Sequence, residues 1–246
     1  MKLDRLIAVR NTKTVYRDGN RCIKVFYHCH SKADIISEAL NQARMEETEI
    51  KVPKIMEVTT IDGKWAIVSE FIRGKTMSQL MREHPEDKDT YLALLVQLQL
   101  SVLSNTSYAL NDLKSRLRLG IHAASLDASV KERLLSRLER MPEQNFICHG
   151  DFYPSNIIIS EDNTPYIIDW SHAVRGSAYA DAAQTYLSFR LFDGPETAER
   201  YIHLFCEKAG IDISAVLDWI PILAASRASG EKQKESEILL SLALTP

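Results

Sequence analysis

Between residues 149 and 169 the chain sets a histidine, two aspartates and an asparagine at short offsets. His149-Gly150-Asp151-Phe152-Tyr153-Pro154-Ser155-Asn156 runs into Ile157-Ile158-Ile159, a polar turn from Ser160 to Pro165, and Tyr166-Ile167-Ile168-Asp169-Trp170. The two apolar runs are β-branched or aromatic and too short for helices. A turn-rich spacer separates them, so they read as a hairpin. Such a hairpin brings Asn156, at the start of one strand, beside Asp169, at the end of the other. An amide oxygen and a carboxylate converging there make a small hard-oxygen site of the kind magnesium takes. Asp151, five residues before Asn156, faces that metal as a base. Taken singly, His, Asp and Asn are ordinary turn residues. The second Asp in register is what argues for chemistry.

The segments before this motif have the residue types to serve it. Leu6–Val9, Lys13–Arg17 and Cys22–Tyr27 read as three short strands, the last two joined by the turn signal Asp18-Gly19-Asn20. Lys24 lies within the third strand, on the face opposite Ile23 and Val25. A lysine there is costly unless its ammonium reaches water or an anion. Ser31 followed by Asp34 resembles a capping box and opens a helix with Ile35, Ile36, Ala39, Leu40 and Ala43 at helical spacing. Glu38 lies beside that apolar stripe and is placed to pair with Lys24. Glu46 and Glu47, near the helix end, are expected to face solvent. Two more strands, Ile55–Thr60 and Trp65–Phe71, flank Asp62-Gly63. This is a small antiparallel sheet covered by a helix, and the pattern breaks at Gly74.

Beyond Gly74 the chain is mostly helical. Helices are expected over residues 91–104, 107–121, 128–141, 178–192, 195–209, 214–226 and 232–242, with a kink at Pro221. Residues 171–176 read as a loop. The fold class is α+β, with a first part over 1–74 and a second over 75–246.

Composition narrows the function classes. With 246 residues and a net charge of −3, the chain has no basic cluster interleaved with aromatics, so nucleic acid is not an expected partner. No apolar run reaches membrane-span length, and the N-terminus is too weakly apolar for a signal peptide. Four scattered cysteines without Cys-x-x-Cys spacing argue against zinc and against a disulfide framework. His28-Cys29-His30 has no second cluster to complete a metal site. A cytoplasmic protein is expected.

Taken together, Lys24, Glu38, Ser69-Glu70-Phe71, His149-Gly150-Asp151…Asn156 and Ile167-Ile168-Asp169-Trp170, with Gly176 and Asp181 behind them, resemble the aminoglycoside phosphotransferase and choline kinase family. These are small-molecule kinases of two-lobed, protein-kinase-like fold. The resemblance implies an ATP- or GTP-dependent enzyme that phosphorylates a hydroxyl of a small molecule and uses Mg2+. Under it, Lys24 holds the α/β-phosphates and Glu38 positions it. The Ser69 carbonyl and Phe71 amide meet the adenine edge, Asp151 orients or deprotonates the hydroxyl, and Asn156 and Asp169 bind magnesium. His149 props the loop, and Asp181 has a similar structural task. The connection between the first two strands has no glycine, unlike protein kinases. Asn11, Thr12, Thr14 or backbone N–H groups there remain as phosphate contacts. For a cationic acceptor, the carboxylates and aromatic faces on offer are Tyr153, Trp170, Asp193, Asp218, Trp219, Glu235 and Glu237. Two rival readings are a non-catalytic nucleotide-binding scaffold and a metal-dependent hydrolase using His149 and Asp151. The first does not need Asp151, and the second lacks ligands beyond His172.

Overall fold

In the computed structural model, which describes residues 3, 5–10, 12–27, 30–229 and 232–245, strands β1 (Arg5–Val9), β2 (Lys13–Asp18) and β3 (Arg21–Phe26) lead into helix α1 (Lys32–Met45). Then come β4 (Ile55–Ile61), β5 (Lys64–Glu70), β6 (Gly74–Thr76), α2 (Met77–Glu83), α3 (Lys88–Leu103), α4 (Leu113–Ala123) and α5 (Ala128–Arg140). Strands β7 (Phe146–Cys148), β8 (Ile157–Ser160), β9 (Pro165–Ile167) and β10 (Val174–Gly176) carry the motif region. Helices α6 (Ala178–Phe192), α7 (Pro195–Ala209), α8 (Ile213–Leu217), α9 (Ile220–Ala228) and α10 (Gln233–Ala243) follow. Asn11, His28 and Cys29, which the sequence singles out, lie outside the described residues. Among the described residues no helix is long and apolar enough to cross a membrane.

The architecture is α+β, in two compact units. The first is Met1–Asp87 with Pro154–His172, and the second is Lys88–Tyr153 with Ala173–Pro246. Gly74 falls inside the first unit, because β6 starts there and pairs with β8 in the register Gly74↔Ser160. A Cβ at Gly74 would lie 2.1 Å from Ile159 O, an approach only glycine allows.

In the first unit the sheet runs β1-β2-β3-β5-β4, antiparallel throughout. The Asp62-Gly63 turn has positive φ at both residues (49° and 74°), as a type I′ hairpin requires. Alternation along β3 divides its side chains. Ile23 and Val25 pack with Ala66 and Val68 on one face, while Phe26 packs with Ile67 and with Ile35 and Ala39 of α1 on the other. The α1 capping box is formed: Asp34 N–H donates to Ser31 Oγ at 3.2 Å and Ser31 N–H to Asp34 Oδ2 at 3.0 Å. Glu46, expected toward solvent, is exposed but accepts from Ile55 N–H at 2.6 Å.

In the second unit α3 is buried on more than one face through Leu92, Leu95, Val96, Val102 and Leu103. Three expectations need correction here. The helix read over 107–121 starts only at Leu113, where the Asp112 carboxylate accepts from Ser115 N–H at 2.8 Å and sets the N-terminus. Val174–Gly176 is a strand rather than loop, because it pairs with β7 in the register Gly176↔Phe146. Pro221 does not kink a continuous helix: it sits in the first turn of α9, where its missing N–H costs nothing, and α8 is a separate helix.

Candidate active site

Lys24 lies mid-strand, opposite Val15 of β2 and Ile67 of β5. Its Nζ donates to Glu38 Oε1 at 2.8 Å and stands 3.7 Å from Asp169 Oδ1. Burial alone would lower the Lys24 pKa, but Asp169 and Glu38 outweigh it and hold the group well above its ordinary value. Lys24 is therefore a fixed cation. Helix α1 brings Glu38 to it, and one helical turn on, Asn41 Nδ2 donates to Trp170 O at 3.2 Å. The same helix thus presents Glu38 and anchors the turn that follows Asp169. Sequence reasoning missed Asn41, whose spacing of three from Glu38 was the available signal.

It also missed Lys13. The Lys13 ammonium donates to both Asp169 carboxylate oxygens at 3.0 Å and lies 3.6 Å from Glu38 Oε1. Two lysines and two carboxylates form one cluster with no net charge.

Asp169 follows β9 with φ of +66°, a left-handed conformation that few non-glycine residues adopt. Asp tolerates it better than most, and Ser171 Oγ donates to its Oδ1 at 3.1 Å. Ile157 is in register with Ile167, and Ile168 N–H donates to Asn156 O at 2.9 Å. The hairpin therefore sets Asn156 and Asp169 on adjoining strand ends. Asn156 is buried. Both contribute hard oxygens, and a cation already engages Asp169, so the donor set fits a divalent ion such as magnesium.

The two expected adenine contacts lie at the end of β5 and just beyond it. Ser69 is buried within β5, in register with Cys22 on one side and Ile55 on the other. Phe71 N–H donates to Asn20 O at 2.9 Å and its ring carries the Arg17 guanidinium at 4.2 Å. The Phe71 amide is thus already in use.

In the second unit, β7 leads into His149-Gly150-Asp151. His149 is fully buried, Gly150 has φ of +77°, and Asp151 N–H donates to His149 Nδ1 at 3.3 Å. Asp151 itself is half-buried. Asp181, in the first turn of α6, anchors this loop. Its Oδ1 accepts from Gly150 N–H at 2.8 Å and its Oδ2 from Gln99 Nε2 at 2.9 Å. Gln99 Oε1 accepts from Tyr201 O–H at 2.6 Å, and Thr185 Oγ1 donates to Phe152 O at 3.0 Å. Burial raises the Asp181 pKa, opposed by the hydrogen bonds from Gln99 and Gly150.

Of the acceptor candidates, Trp170 and Trp219 are buried and offer no surface. Asp218 pairs with Arg137 at 3.0 Å, and Glu237 accepts from Gln233 at 3.2 Å. Tyr153 and Asp193 are brought together, the tyrosine hydroxyl donating to the carboxylate, with the Phe189 and Phe192 rings 5.2 and 5.8 Å from the Tyr153 ring. A cavity of about 580 Å³ in the same unit is lined by Asn145, Arg175 and Gly176. It sits at the Phe146–Gly176 end of the β7–β10 pair, whereas His149-Gly150-Asp151 leaves from the other end. Among its cations, Arg118 is bonded by Glu139 and Arg175 by Asn145.

Comparison with known proteins bears on the family and the fold. The model of a family described as the phosphotransferase enzyme family matches residues 13–219. No curated protein sequence matches. Among solved structures, a choline/ethanolamine kinase family protein from Mesorhizobium loti aligns with TM-score 0.67 and 15% identity over 100% of this chain and 89% of its own. The apo form of a thermostable mutant of aminoglycoside phosphotransferase APH(4)-Ia aligns with TM-score 0.69 and 15% identity, covering 96% and 91%. A ternary complex of such a mutant with ADP and hygromycin B gives 0.67 and 12%, covering 98% and 94%. At these identities the likeness establishes a fold, the protein-kinase-like one of these phosphotransferases. The sequence match over most of the chain establishes more: the protein belongs to the phosphotransferase enzyme family.

Proposed function

We propose that this protein moves the γ-phosphate of a nucleoside triphosphate, ATP in the first instance, to a hydroxyl of a small molecule. The observation that carries the reading is the convergence of Lys24, Glu38 and Asp169 beside Asn156, in a chain whose His149-Gly150-Asp151 loop is held by a buried carboxylate. The ADP and hygromycin B bound to a phosphotransferase of like fold support both halves of it.

Phosphoryl transfer through a loose transition state calls for positioning and charge neutralisation more than for covalent help. Lys24, kept protonated by Glu38 and Asp169, holds the α/β-phosphates. Glu38 keeps that ammonium from swinging toward solvent. Asn156 and Asp169 hold Mg2+, which when bound supplies positive charge to the phosphate oxygens. Asp151 orients the acceptor hydroxyl and takes its proton. With Phe71 N–H committed to Asn20, the adenine edge is assigned to the neighbouring backbone, Glu70 O and Ile72 N–H. For the acceptor, the carboxylate of Asp193 beside the Tyr153 ring suits an amine-bearing alcohol.

A panel of small alcohols, amino alcohols, sugars and aminoglycosides screened for ATP consumption identifies the acceptor. With it in hand, Asp151→Asn lowers turnover by about 10²–10⁴ and leaves ATP affinity near wild type. An unchanged rate removes Asp151 from the mechanism.

A further inference from the structure

Lys13 is not an ordinary strand-end lysine. Its side chain is 13% exposed, its ammonium lies 5.7 Å from the Phe26 ring centroid, and both Asp169 oxygens accept from it at 3.0 Å. The register explains the reach. Lys13 stands opposite Phe26, which is two residues on from Lys24. Cross-strand partners share a face and so do alternate residues, so Lys13, Phe26 and Lys24 line one face of the sheet. Arg10 N–H donates to Lys13 O at 2.9 Å and turns the chain tightly into β2.

Charge shows what Lys13 adds. Lys24, Glu38 and Asp169 alone sum to one negative charge and would repel a triphosphate, and Lys13 brings the cluster to zero. The connection from β1 to β2 has no glycine, so it lacks the residue type that most readily turns successive backbone N–H groups onto phosphate oxygens. A lysine side chain is a substitute for that cradle. It is a point charge on a long stem, free to follow whichever anion is nearest. A cation that takes the Asp169 oxygens releases the ammonium; Glu38 Oε1, 3.6 Å away, is already bonded by Lys24, so the phosphate chain beside Lys24 is the anion left for Lys13 to bond.

We propose that Lys13 is a second phosphate-binding lysine, held on Asp169 until the nucleotide arrives and then bonding the phosphates alongside Lys24. The assignment rests on the reading of this cluster as the nucleotide site. Calorimetric titration of the full chain with magnesium-ATP and with adenosine tests it. Lys13→Met should weaken ATP by about tenfold or more, the value of a charge-assisted hydrogen bond, and leave adenosine within about twofold. Lys13→Arg should keep most of the ATP affinity. Adding Lys13→Met to Asp169→Asn gives the decisive comparison, since that background lacks the carboxylate that Lys13 bonds and the double variant leaves Lys24 and Glu38 paired with each other. A phosphate ligand still costs about tenfold in ATP affinity there, whereas a mere counter-ion of Asp169 costs nothing. ATP affinity unchanged by Lys13→Met in either background, or ATP and adenosine weakened by equal factors, overturns the role of Lys13 alone. Wild-type protein that binds neither ligand overturns the nucleotide reading, and the role of Lys13 with it.

Discussion

Replacing Asp181 by alanine removes the acceptor of two buried donors at once, Gly150 N–H at 2.8 Å and Gln99 Nε2 at 2.9 Å. Hydrogen bonds to a charged group contribute about 1.5–3 kcal/mol each. Against them stands the desolvation of the carboxylate, which raises its pKa from 3.8 and is relieved by the substitution. The balance is a loss of about 3 kcal/mol, or about 1 M in urea midpoint at a slope of about 3 kcal/mol/M. Asp181→Asn keeps an acceptor for Gly150 and costs about 1 kcal/mol. Its new amide donors face Gln99 Nε2, so the Gln99 amide must turn over and the Tyr201 hydroxyl bonded to it must accept instead of donate. Unfolding is followed by the fluorescence of buried Trp170 and Trp219, and the loop by hydrogen exchange at the Gly150 amide. Protection of that amide should vanish in the alanine variant and persist in the asparagine one. pH gives a second handle. A carboxyl whose folded pKa is raised binds its proton more readily when folded, so its contribution to stability falls as pH rises from 3.8 through the folded value. The wild-type midpoint should therefore drop relative to Asp181→Asn across that window. An alanine variant within about 0.2 M of wild type, with Gly150 still protected, would show that this carboxylate does not hold the His149-Gly150-Asp151 loop.

Asp169 separates charge from backbone. Asp169→Asn tolerates the φ of +66° and should weaken magnesium-ATP binding about tenfold or more, at a cost of about 1–3 kcal/mol in stability because Lys13 and Lys24 lose a carboxylate; equal affinity by calorimetry removes it from the metal site. Asp169→Ala should lose the same affinity and, in addition, about 1 kcal/mol of stability from left-handed strain. Gly120→Ala improves helix propensity by about 1 kcal/mol but should still destabilise by about 1–3 kcal/mol. The new Cβ of α4 would lie 2.0 Å from Ser226 Oγ and 2.8 Å from Ser226 Cα on α9. Ser226→Gly in the same chain should recover part of that loss, and a stabilised Gly120→Ala single variant would refute the close approach of the two helices.

Much of the arrangement was legible because its signals are local. Asp62-Gly63 between β-branched runs, Ser31 three residues before Asp34, and a lysine alternating with Ile23 and Val25 each announce an element or a face within a few residues. The Lys24–Glu38 contact followed from two such readings, since a helix packed on a sheet leaves few carboxylates able to reach a lysine on the covered face. The strand Val174–Gly176 was illegible for the converse reason. Three residues carry no period, and its pairing with β7 is a tertiary fact.

Lys13 and Phe71 mark a different limit. Both stand in or beside strands that were read correctly, and the side-chain period was correct in each case. What periodicity leaves open is which atoms the ladder has already used and which distant segment closes over a face. The Phe71 amide is withdrawn by a single backbone bond to Asn20, whose register no count of apolar residues specifies. Lys13 finds its carboxylate 156 residues along the chain. Residues whose role comes from their own strand or helix are thus open to prediction, and residues recruited by register or by the return of the β8–β9 hairpin are not. Lys13 is of the second kind, and its partner, Asp169, is a carboxylate that the motif itself had marked.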